Sequence, residues 1–229
     1  MTVTPTEEEL RLMRVTLAGR PVELWCVRDL DVFLDRLIAV QGTVGDDDIP
    51  YYAHLWPTAR VLAEELLKGP SLEGVAALEL GCGLGLVGLC AALQGAHVLM
   101  TDLQPGALDL VMKNAARNGV QARITTQLLD WRHPPEGLQR PLVLASDVLY
   151  EARFAVPLAE TLRRVLQPGG IALLGDPSRP HLDRFLEAAH DVGLAVRPGP
   201  FHAPTDSSEV RLYAVQHRGD ARVNAPWER

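Results

Sequence analysis

The sequence predicts an α/β fold: a doubly wound, mostly parallel seven-stranded sheet with helices on both faces and an antiparallel last strand. From residue 74 onward, short apolar runs alternate with helical segments, which is the pattern of parallel strands joined by crossover helices. The last two strand-like runs, 194–197 and 209–217, have no helical segment between them. Without a crossover helix, the last strand is expected to pair antiparallel with its neighbour.

The main fold can be followed element by element from residue 74. Gly119 follows Asn118 as a helix stop, and Pro168-Gly169-Gly170 is expected to end a later helix. The predicted strands are 75–80, 97–101, 124–128, 142–145 and 171–174, and the predicted helices are 86–93, 104–118, 154–166 and 181–192.

The first 50 residues are predicted to form a small α/β elaboration. The segment beginning at Thr4, "TPTE", has the capping residue, proline and glutamate of a helix start, so a helix is expected to about Met13. Two β-prone runs around "AGRP", residues 18–21, predict a hairpin. A second helix follows, and its apolar stripe is expected to contain Val32, Leu34, Leu37 and Ile38.

Residues 42–50 contain three consecutive aspartates and are predicted to be a solvated loop. This loop is the expected boundary between the elaboration, residues 1–50, and a main domain, residues 51–229. A chain of 229 residues is short for two average domains, which favours this division.

Composition excludes several classes of function. The chain is 47% hydrophobic and 22% charged, with a net charge of −7 and no basic run, which disfavours a duplex nucleic-acid partner but leaves a local RNA-binding patch open. Three cysteines without a C-x-x-C pair, and histidines without ligand spacing, predict neither a disulfide framework nor a metal site.

The sequence predicts a cytoplasmic protein without a membrane segment. The start, "MTVTPTEEEL", is acidic and has no apolar run, which argues against a signal peptide. Residues 74–100 are strongly apolar, but six glycines interrupt them. We interpret this stretch as a buried strand and helix.

The stretch "LELGCGLGLVG", residues 78–88, contains two overlapping glycine fingerprints. Residues 83–88 fit the G-x-G-x-x-G turn that holds a dinucleotide, and residues 79–85 fit the E-x-G-x-G-x-G turn that holds S-adenosylmethionine. Both ligands need backbone that no Cβ shields. Gly81, Gly83 and Gly85 are therefore predicted to contact a cofactor, whereas Gly88 is predicted to pack the helix on the strand.

An acid at the end of the next strand suits either ligand. Asp102 lies 21 residues after Gly81 and is predicted to accept the ribose hydroxyls, with Leu103 against the adenine. The alternative is that Asp102 caps the helix that begins near Gln104.

Three observations favour S-adenosylmethionine. Glu79 would bring a negative charge close to a pyrophosphate, whereas a cofactor with a cationic methionine moiety tolerates it. The antiparallel tail is unusual for a dinucleotide domain. Finally, "LLDW" ends the third strand, so Asp130 is predicted to bond the adenine amine and Trp131 to cover its ring. Asp130 also fits a turn cap.

These motifs, with "TD" at 101–102 and "SDVLY" at 146–150, resemble the class I, seven-stranded S-adenosylmethionine-dependent methyltransferases over roughly residues 50–217. D-x-x-Y at Asp147 and Tyr150, and the upstream Trp56, resemble the protein lysine methyltransferases related to those acting on electron-transfer flavoprotein β-subunit and on chaperones. That resemblance implies methylation of a protein lysine. It places Asp147 and Tyr150 beside the acceptor as catalytic residues, and Trp56 against the cofactor.

Alternatives stay open for the acceptor site. Asp147 also fits the N-cap of a short helix, and Tyr150 a loop anchor. Tyr51, Tyr52 and His54 are either pocket-wall or packing residues. The competing functions are methylation of a small amine or catechol-like metabolite, and cofactor or partner binding without catalysis. The sequence assigns no oligomeric state.

Overall fold

The computed structural model describes residues 3–134, 136–203 and 209–228. The strands are β1 (Leu10–Leu17), β2 (Arg20–Val27), β3 (Ala76–Leu80), β4 (His97–Asp102), β5 (Ile124–Leu128), β6 (Arg140–Ser146), β7 (Leu166–Asp176), β8 (Leu194–His202) and β9 (Val210–His217). The α-helices are α1 (Leu30–Gln41), α2 (Pro57–Lys68), α3 (Leu86–Leu93), α4 (Pro105–Arg117), α5 (Ala155–Val165) and α6 (Leu182–Asp191).

Seven strands form the main sheet in the order β5-β4-β3-β6-β7-β9-β8. The pairs from β5 to β7 are parallel, and β9 runs antiparallel to both β7 and β8. Apolar side chains of α2, α3 and α4 belong to one core cluster, and those of α5 and α6 to another. The predicted fold class, with its antiparallel last strand, is confirmed.

The parallel register brings the carboxyl ends of five strands to one edge of the sheet. Leu80 of β3 lies opposite Thr101 of β4 and Ala145 of β6, and Ser146 lies opposite Gly175 of β7. In open α/β sheets ligands bind outside this edge, close to the point where the strand order reverses. The chain turns after β3, β4, β5, β6 and β7 therefore converge on one place.

The apolar stretch at residues 74–100 is a buried strand and helix, as predicted. All residues of α3 except Leu93 are buried. Gly88 allows this helix to lie directly on the sheet, because a Cβ there would overlap Met100 and Glu79. In the described parts of the chain, no helix combines the length and apolarity needed to cross a membrane.

The helix predicted to about Met13 is wrong. A capping pair does form, but it consists of Thr6 and Glu9 instead of the predicted Thr4 and Glu7, and only a 3-10 turn, Glu7–Glu9, follows. The chain then enters β1, because pairing with β2, starting with Leu10 opposite Val27, buries Leu10, Val15 and Leu17. Tertiary pairing outweighs the local helix signal here.

The hairpin of β1 and β2 is confirmed, and Ala18 and Gly19 form its turn with φ of 47° and 77°. The buried stripe of α1 differs from the prediction. Phe33 and Leu37 are buried, one helical turn apart, whereas Val32 and Ile38 are 58% and 44% exposed. The latter two lie on other faces of the helix, away from the core.

Asn114 of α4 and Asn118, the C-cap of that helix, attach the hairpin to the main fold. Asn114 Oδ1 accepts from the amide of Trp25 at 2.6 Å, and Asn118 Oδ1 accepts from the amide of Glu23 at 3.0 Å. Asn114 also donates to the carbonyl of Leu84 at 3.0 Å. The hairpin, α4 and the loop after β3 therefore share one buried polar connection.

The predicted helix stop at Pro168-Gly169-Gly170 is placed wrongly. Helix α5 ends at Val165, and the three residues lie inside β7. The register of β6 and β7 shifts between Arg140 and Leu142, so an irregularity in the pairing accommodates the proline and glycines within the strand.

Candidate active site at the carboxyl edge of the sheet

A cavity of about 450 Å³ opens where the loops after β3, β4, β5 and β6 meet. Nine of the predicted site residues line it: Trp56, Gly81, Gly83, Asp102, Leu103, Asp130, Trp131, Asp147 and Tyr150. Tyr51 and Tyr52 also contribute to its wall. The structure thus brings together residues separated by almost 100 positions in the sequence. Glu79 and Gly85 are outside this lining.

The loop after β3 is held open by glycines in left-handed conformations. Gly81, Gly83 and Gly85 have φ of 64°, 51° and 82°. A Cβ on Gly81 would lie 3.0 Å from Val148 Cγ1 and 3.1 Å from the Trp131 ring. Only glycine keeps this part of the cavity wall as backbone.

Gly85 has a different role from the one predicted. It is the N-cap of α3, and a Cβ there would lie 2.9 Å from Val111 Cγ2 in α4. The residue therefore permits close packing behind the loop. We correct its assignment from cofactor contact to packing.

Glu79 also lies behind the loop. It is 1% exposed, and its Oε2 accepts from the amide of Gly88 at 3.0 Å. Burial raises the pKa of this carboxyl to about 8, so it is mostly protonated at neutral pH. The expectation that Glu79 places a negative charge beside the cofactor is therefore corrected: the side chain fastens β3 to α3 as a largely neutral acid.

Asp102 joins two loops and also faces the cavity. Its Oδ2 accepts from the amide of Gly83 and its Oδ1 from the amide of Gln104, both at 3.0 Å. Burial raises the pKa of this carboxyl. The N-cap of α4 is Gln104 itself, so Asp102 organises the turn before the helix while its side chain remains on the cavity wall.

Asp130 and Trp131 also form part of the cavity wall. Asp130 Oδ1 accepts from the amide of Arg132 at 2.9 Å, and the Arg132 guanidinium also binds the carboxylate, which lowers its pKa. The alternative prediction, that Asp130 caps a turn, is therefore confirmed. Because the residue lines the cavity as well, adenine recognition stays a prediction.

A row of aromatic rings runs along the cavity from Trp56 to Trp131. Tyr51 lies 6.1 Å from Trp56 and 5.4 Å from Tyr150 between ring centroids. Phe154 continues the row at 5.1 Å from Tyr150 and 5.5 Å from Trp131. Of the three residues left open, Tyr51 and Tyr52 line the cavity, whereas His54 packs against Trp56.

Asp147 lies where β6 ends, in a left-handed conformation with φ of 59°. Burial raises the pKa of its carboxyl to about 6, and the Arg179 guanidinium and the Thr58 hydroxyl oppose that rise. The helix-cap alternative is wrong, because the next helical turn begins at Ala152 with Glu151 as its N-cap. Asp147 is therefore a buried acid on the cavity wall that is still largely ionised at neutral pH.

Sequence reasoning missed three residues of this site. Thr58 and Arg179 hold the carboxylate of Asp147, and Arg179 also lines the cavity. Asp47, expected in a solvated loop, pairs with Arg132 at 3.0 Å and Arg153 at 2.9 Å. Asp46, Asp47 and Ile49 of this loop also line the cavity. In the sequence this loop was recognisable only by its run of aspartates, and a run of charges does not show which residues it pairs with.

A protein-family model described as lysine methyltransferase matches residues 44–190, more than half of the chain. The chain belongs to the lysine methyltransferase family. The match includes every residue described above as lining the cavity. The N-terminal hairpin and β8 and β9 lie outside it.

Curated relatives agree with this assignment. EEF1A lysine methyltransferase 3 of Mus musculus is 33% identical over 72% of this chain and 72% of its own length. The electron transfer flavoprotein beta subunit lysine methyltransferase of Xenopus laevis is 29% identical over 72% of this chain. Protein-lysine N-methyltransferase rrg1 of Schizosaccharomyces pombe is 33% identical over 57%. The chain spans 66% of the Xenopus laevis protein and 48% of rrg1.

Solved structures support the fold. A 16S rRNA methyltransferase of T. Thermophilus, in complex with AdoMet and guanosine, superposes with a TM-score of 0.63 over 93% of this chain and 52% of its own, at 16% identity. A ribosomal protein L11 methylase of Lactobacillus delbrueckii gives 0.57 over 70% of this chain and 78% of its own, at 18% identity. Family and fold imply S-adenosylmethionine as the methyl donor.

The cavity fits that donor. Gly81 and Gly83 provide a wall of bare backbone, Asp102 provides a carboxylate at the strand end, and Trp131 provides an aromatic face. These are the groups that a nucleoside with a ribose diol and a flat base requires. Among the described residues, no three His, Cys, Asp or Glu side chains are grouped to hold a metal ion.

Proposed function

We propose that this protein transfers a methyl group from S-adenosylmethionine to the side-chain amine of a lysine in another protein. The observation that carries the proposal is the position of Asp147, a buried carboxylate with one oxygen that lacks a hydrogen-bond partner. It lines the same cavity as the glycine loop. An ammonium group is the natural partner for such an oxygen.

The cofactor sites remain proposals residue by residue. Asp102 would accept the ribose hydroxyls, Leu103 and Trp131 would contact the adenine, and Asp130 would accept from its amine. Gly81 and Gly83 would face the methionine moiety, with Trp56 at the side of the pocket. Their shared support is that all of them line one cavity.

The chemistry requires a neutral amine aligned with the methyl carbon. When bound, the cofactor supplies a methyl group on a cationic sulfur. A lysine ammonium has a pKa of about 10.4 in water, and a positive charge opposite it favours loss of the proton. Asp147 would attract and orient the amine. Tyr150, which is 40% exposed and lines the same cavity, would align the amine through its hydroxyl or ring face. Their main contribution is therefore alignment.

We also propose a protein substrate and a cytoplasmic setting. The family name and the curated relatives support the first. Three cysteines that are buried and unpaired support the second, because such thiols are typical of reducing compartments.

The test is to incubate the protein with isotopically labelled S-adenosylmethionine and a cell lysate, and to identify labelled molecules by mass spectrometry. Label on lysine side chains of a protein is the expected result, and its loss with Asp147→Asn is the control. Label only on a metabolite or on RNA would show that the acceptor is that molecule and not a protein lysine. The absence of any label would favour a binding protein without catalysis.

A further inference from the structure

We propose that Thr58 and Arg179 are positioning residues: together they hold one carboxylate oxygen of Asp147 so that the other is presented to the substrate ammonium. This inference rests on the proposed function and deepens it. It concerns two side chains to which the family resemblance assigns no role.

The main chain of Asp147 is fixed on both sides. Its amide donates to the carbonyl of Gly175 at 3.1 Å, and its carbonyl accepts from Arg179 Nη1 at 2.8 Å. The residue has φ of 59°, which is strained for a side chain with a Cβ and persists only where neighbouring groups hold it. The backbone strain is thus maintained by β7 and by the arginine that follows it.

The side chain is held equally firmly, but through one oxygen only. Asp147 Oδ1 accepts from Thr58 Oγ1 at 3.0 Å and from Arg179 Nη2 at 3.1 Å. Oδ2 is buried and has no hydrogen-bond partner. A buried carboxylate oxygen without a donor is costly. It is explained if a substrate donor completes the site.

Close packing places Thr58 where it can reach this carboxylate. Thr58 is fully buried in the first turn of α2, two residues after Trp56. A Cβ on Gly175 would lie 2.5 Å from Thr58 Cγ2, so α2 sits this close to β7 only because residue 175 is glycine. The start of α2 thus presents Trp56 to the cavity and Thr58 to Asp147.

The charges around Asp147 favour a cation. Arg179 contributes one positive charge, and Asp176, which accepts from the amide of Arg179 at 2.7 Å, contributes a second carboxylate. Burial raises the pKa of Asp176, and Arg179 and His181 oppose that rise. Arg179 and Thr58 also lower the pKa of Asp147, whereas Asp176 raises it. One arginine charge is thus set against two carboxyl groups, so an incoming ammonium would add a second positive charge to a site that has only one.

The experiment measures Asp147 directly, without methyl transfer. The titration of its carboxyl is followed by ¹³C NMR, with Asp147→Asn identifying the signal, and n-butylammonium serves as the probe for a lysine side chain. The variants are Arg179→Gln, Arg179→Lys, Thr58→Val and Thr58→Ser. Arg164→Gln is the matched control, because Arg164 is exposed in the last turn of α5.

We expect Arg179→Gln and Thr58→Val to raise the pKa of Asp147 by about one unit or more. We expect each to weaken n-butylammonium binding about tenfold, the scale of one charge-assisted hydrogen bond. Thr58→Ser retains the hydroxyl and is expected to restore both values. Arg179→Lys retains the charge but cannot bind the carbonyl and the carboxylate of Asp147 at the same time. The pKa of Asp147 is therefore expected to stay close to its wild-type value, while n-butylammonium binding remains weaker than in the wild type.

Two results would overturn the proposal. The first is an unchanged titration of Asp147 and unchanged n-butylammonium binding in folded Arg179→Gln and Thr58→Val. The second applies if these variants do not fold, in which case the conservative variants Arg179→Lys and Thr58→Ser are used: wild-type n-butylammonium binding in Arg179→Lys would overturn the role of the arginine. These readouts need no methyl acceptor. A failure of the proposed function in the lysate experiment is therefore distinguishable from a failure here.

Discussion

The amide of Gly83 donates to Oδ2 of Asp102 over 3.0 Å. This bond ties the glycine loop after β3 to the acid that ends β4, so these two cavity-lining segments keep a fixed spacing. The carboxylate therefore has two tasks at one position: it shapes the loop, and it faces the cavity.

Replacing Asp102 with Ala is expected to weaken S-adenosylmethionine binding by about 1.5–3 kcal/mol, or roughly 10–150-fold, because charged hydrogen bonds are lost. Isothermal titration calorimetry measures this directly. Asp102→Asn is the useful comparison: its amide oxygen can still accept from Gly83, but its NH2 group cannot accept from Gln104, and the side chain brings no negative charge to the ribose. Undiminished affinity in Asp102→Ala would remove this residue from the ribose site.

Asp147→Asn preserves the shape of the side chain and removes its charge. Turnover is expected to fall by roughly 10²-fold or more, the scale seen when positioning is lost, while S-adenosylmethionine affinity changes little. Tyr150→Phe keeps the ring and deletes only the hydroxyl, so a smaller loss is expected. These rates are measured on the labelled protein from the lysate experiment. Normal turnover in Asp147→Asn would show that the acceptor site lies elsewhere.

Gly81→Ala tests the bare-backbone wall of the cavity. The residue has φ of 64°, and a Cβ there would press on Val148 and Trp131, so cofactor affinity is expected to fall at least tenfold. Gly19→Ala is the matched control, since its φ is 77° but nothing lies within 4 Å of a Cβ. Each variant is expected to lose about 1–2 kcal/mol of unfolding free energy from the left-handed conformation.

Calorimetry and urea unfolding separate the two effects of these glycine substitutions. Equal cofactor affinity in Gly81→Ala and Gly19→Ala would mean that Gly81 serves only the turn.

Glu79 makes stability depend on pH in an identifiable window. Its folded-state pKa is about 8 against an ordinary value of 4.5, so the folded state binds the proton more tightly. The stability that this carboxyl contributes is complete below about pH 4.5 and is lost as the pH rises towards 8. One proton gives a slope of at most about 1.4 kcal/mol per pH unit.

Glu79→Gln cannot ionise and is expected to lack this part of the slope. Urea unfolding of both proteins from pH 5 to 8 measures the difference between them, in which the raised pKa of Asp147 cancels. Because the charge of Asp102 contributes to the raised pKa of Glu79, the difference reports Glu79 together with its coupling to Asp102. Parallel curves for wild type and variant would mean that Glu79 titrates normally in the folded protein.

The amino-acid sequence by itself determined the alternation of strands and helices and the position of the glycine loop. Helix α3 and strand β5 begin and end at the predicted residues, because their signals are local: a run of apolar side chains bounded by glycine or polar residues. The glycines at 81 and 83 were also recognisable, since the need for a left-handed backbone is a property of single residues.

Only the tertiary structure decided which residues surround Asp147, and that a strand instead of a helix follows Glu9. Thr58 is 89 residues from Asp147 in the sequence and Arg179 is 32 residues away. Neither has a local pattern that distinguishes it from an ordinary helix or loop residue. The partner of a buried carboxylate depends on which strands become neighbours and how closely a helix can approach them. That proximity is set by the sheet order and by the missing Cβ at Gly175.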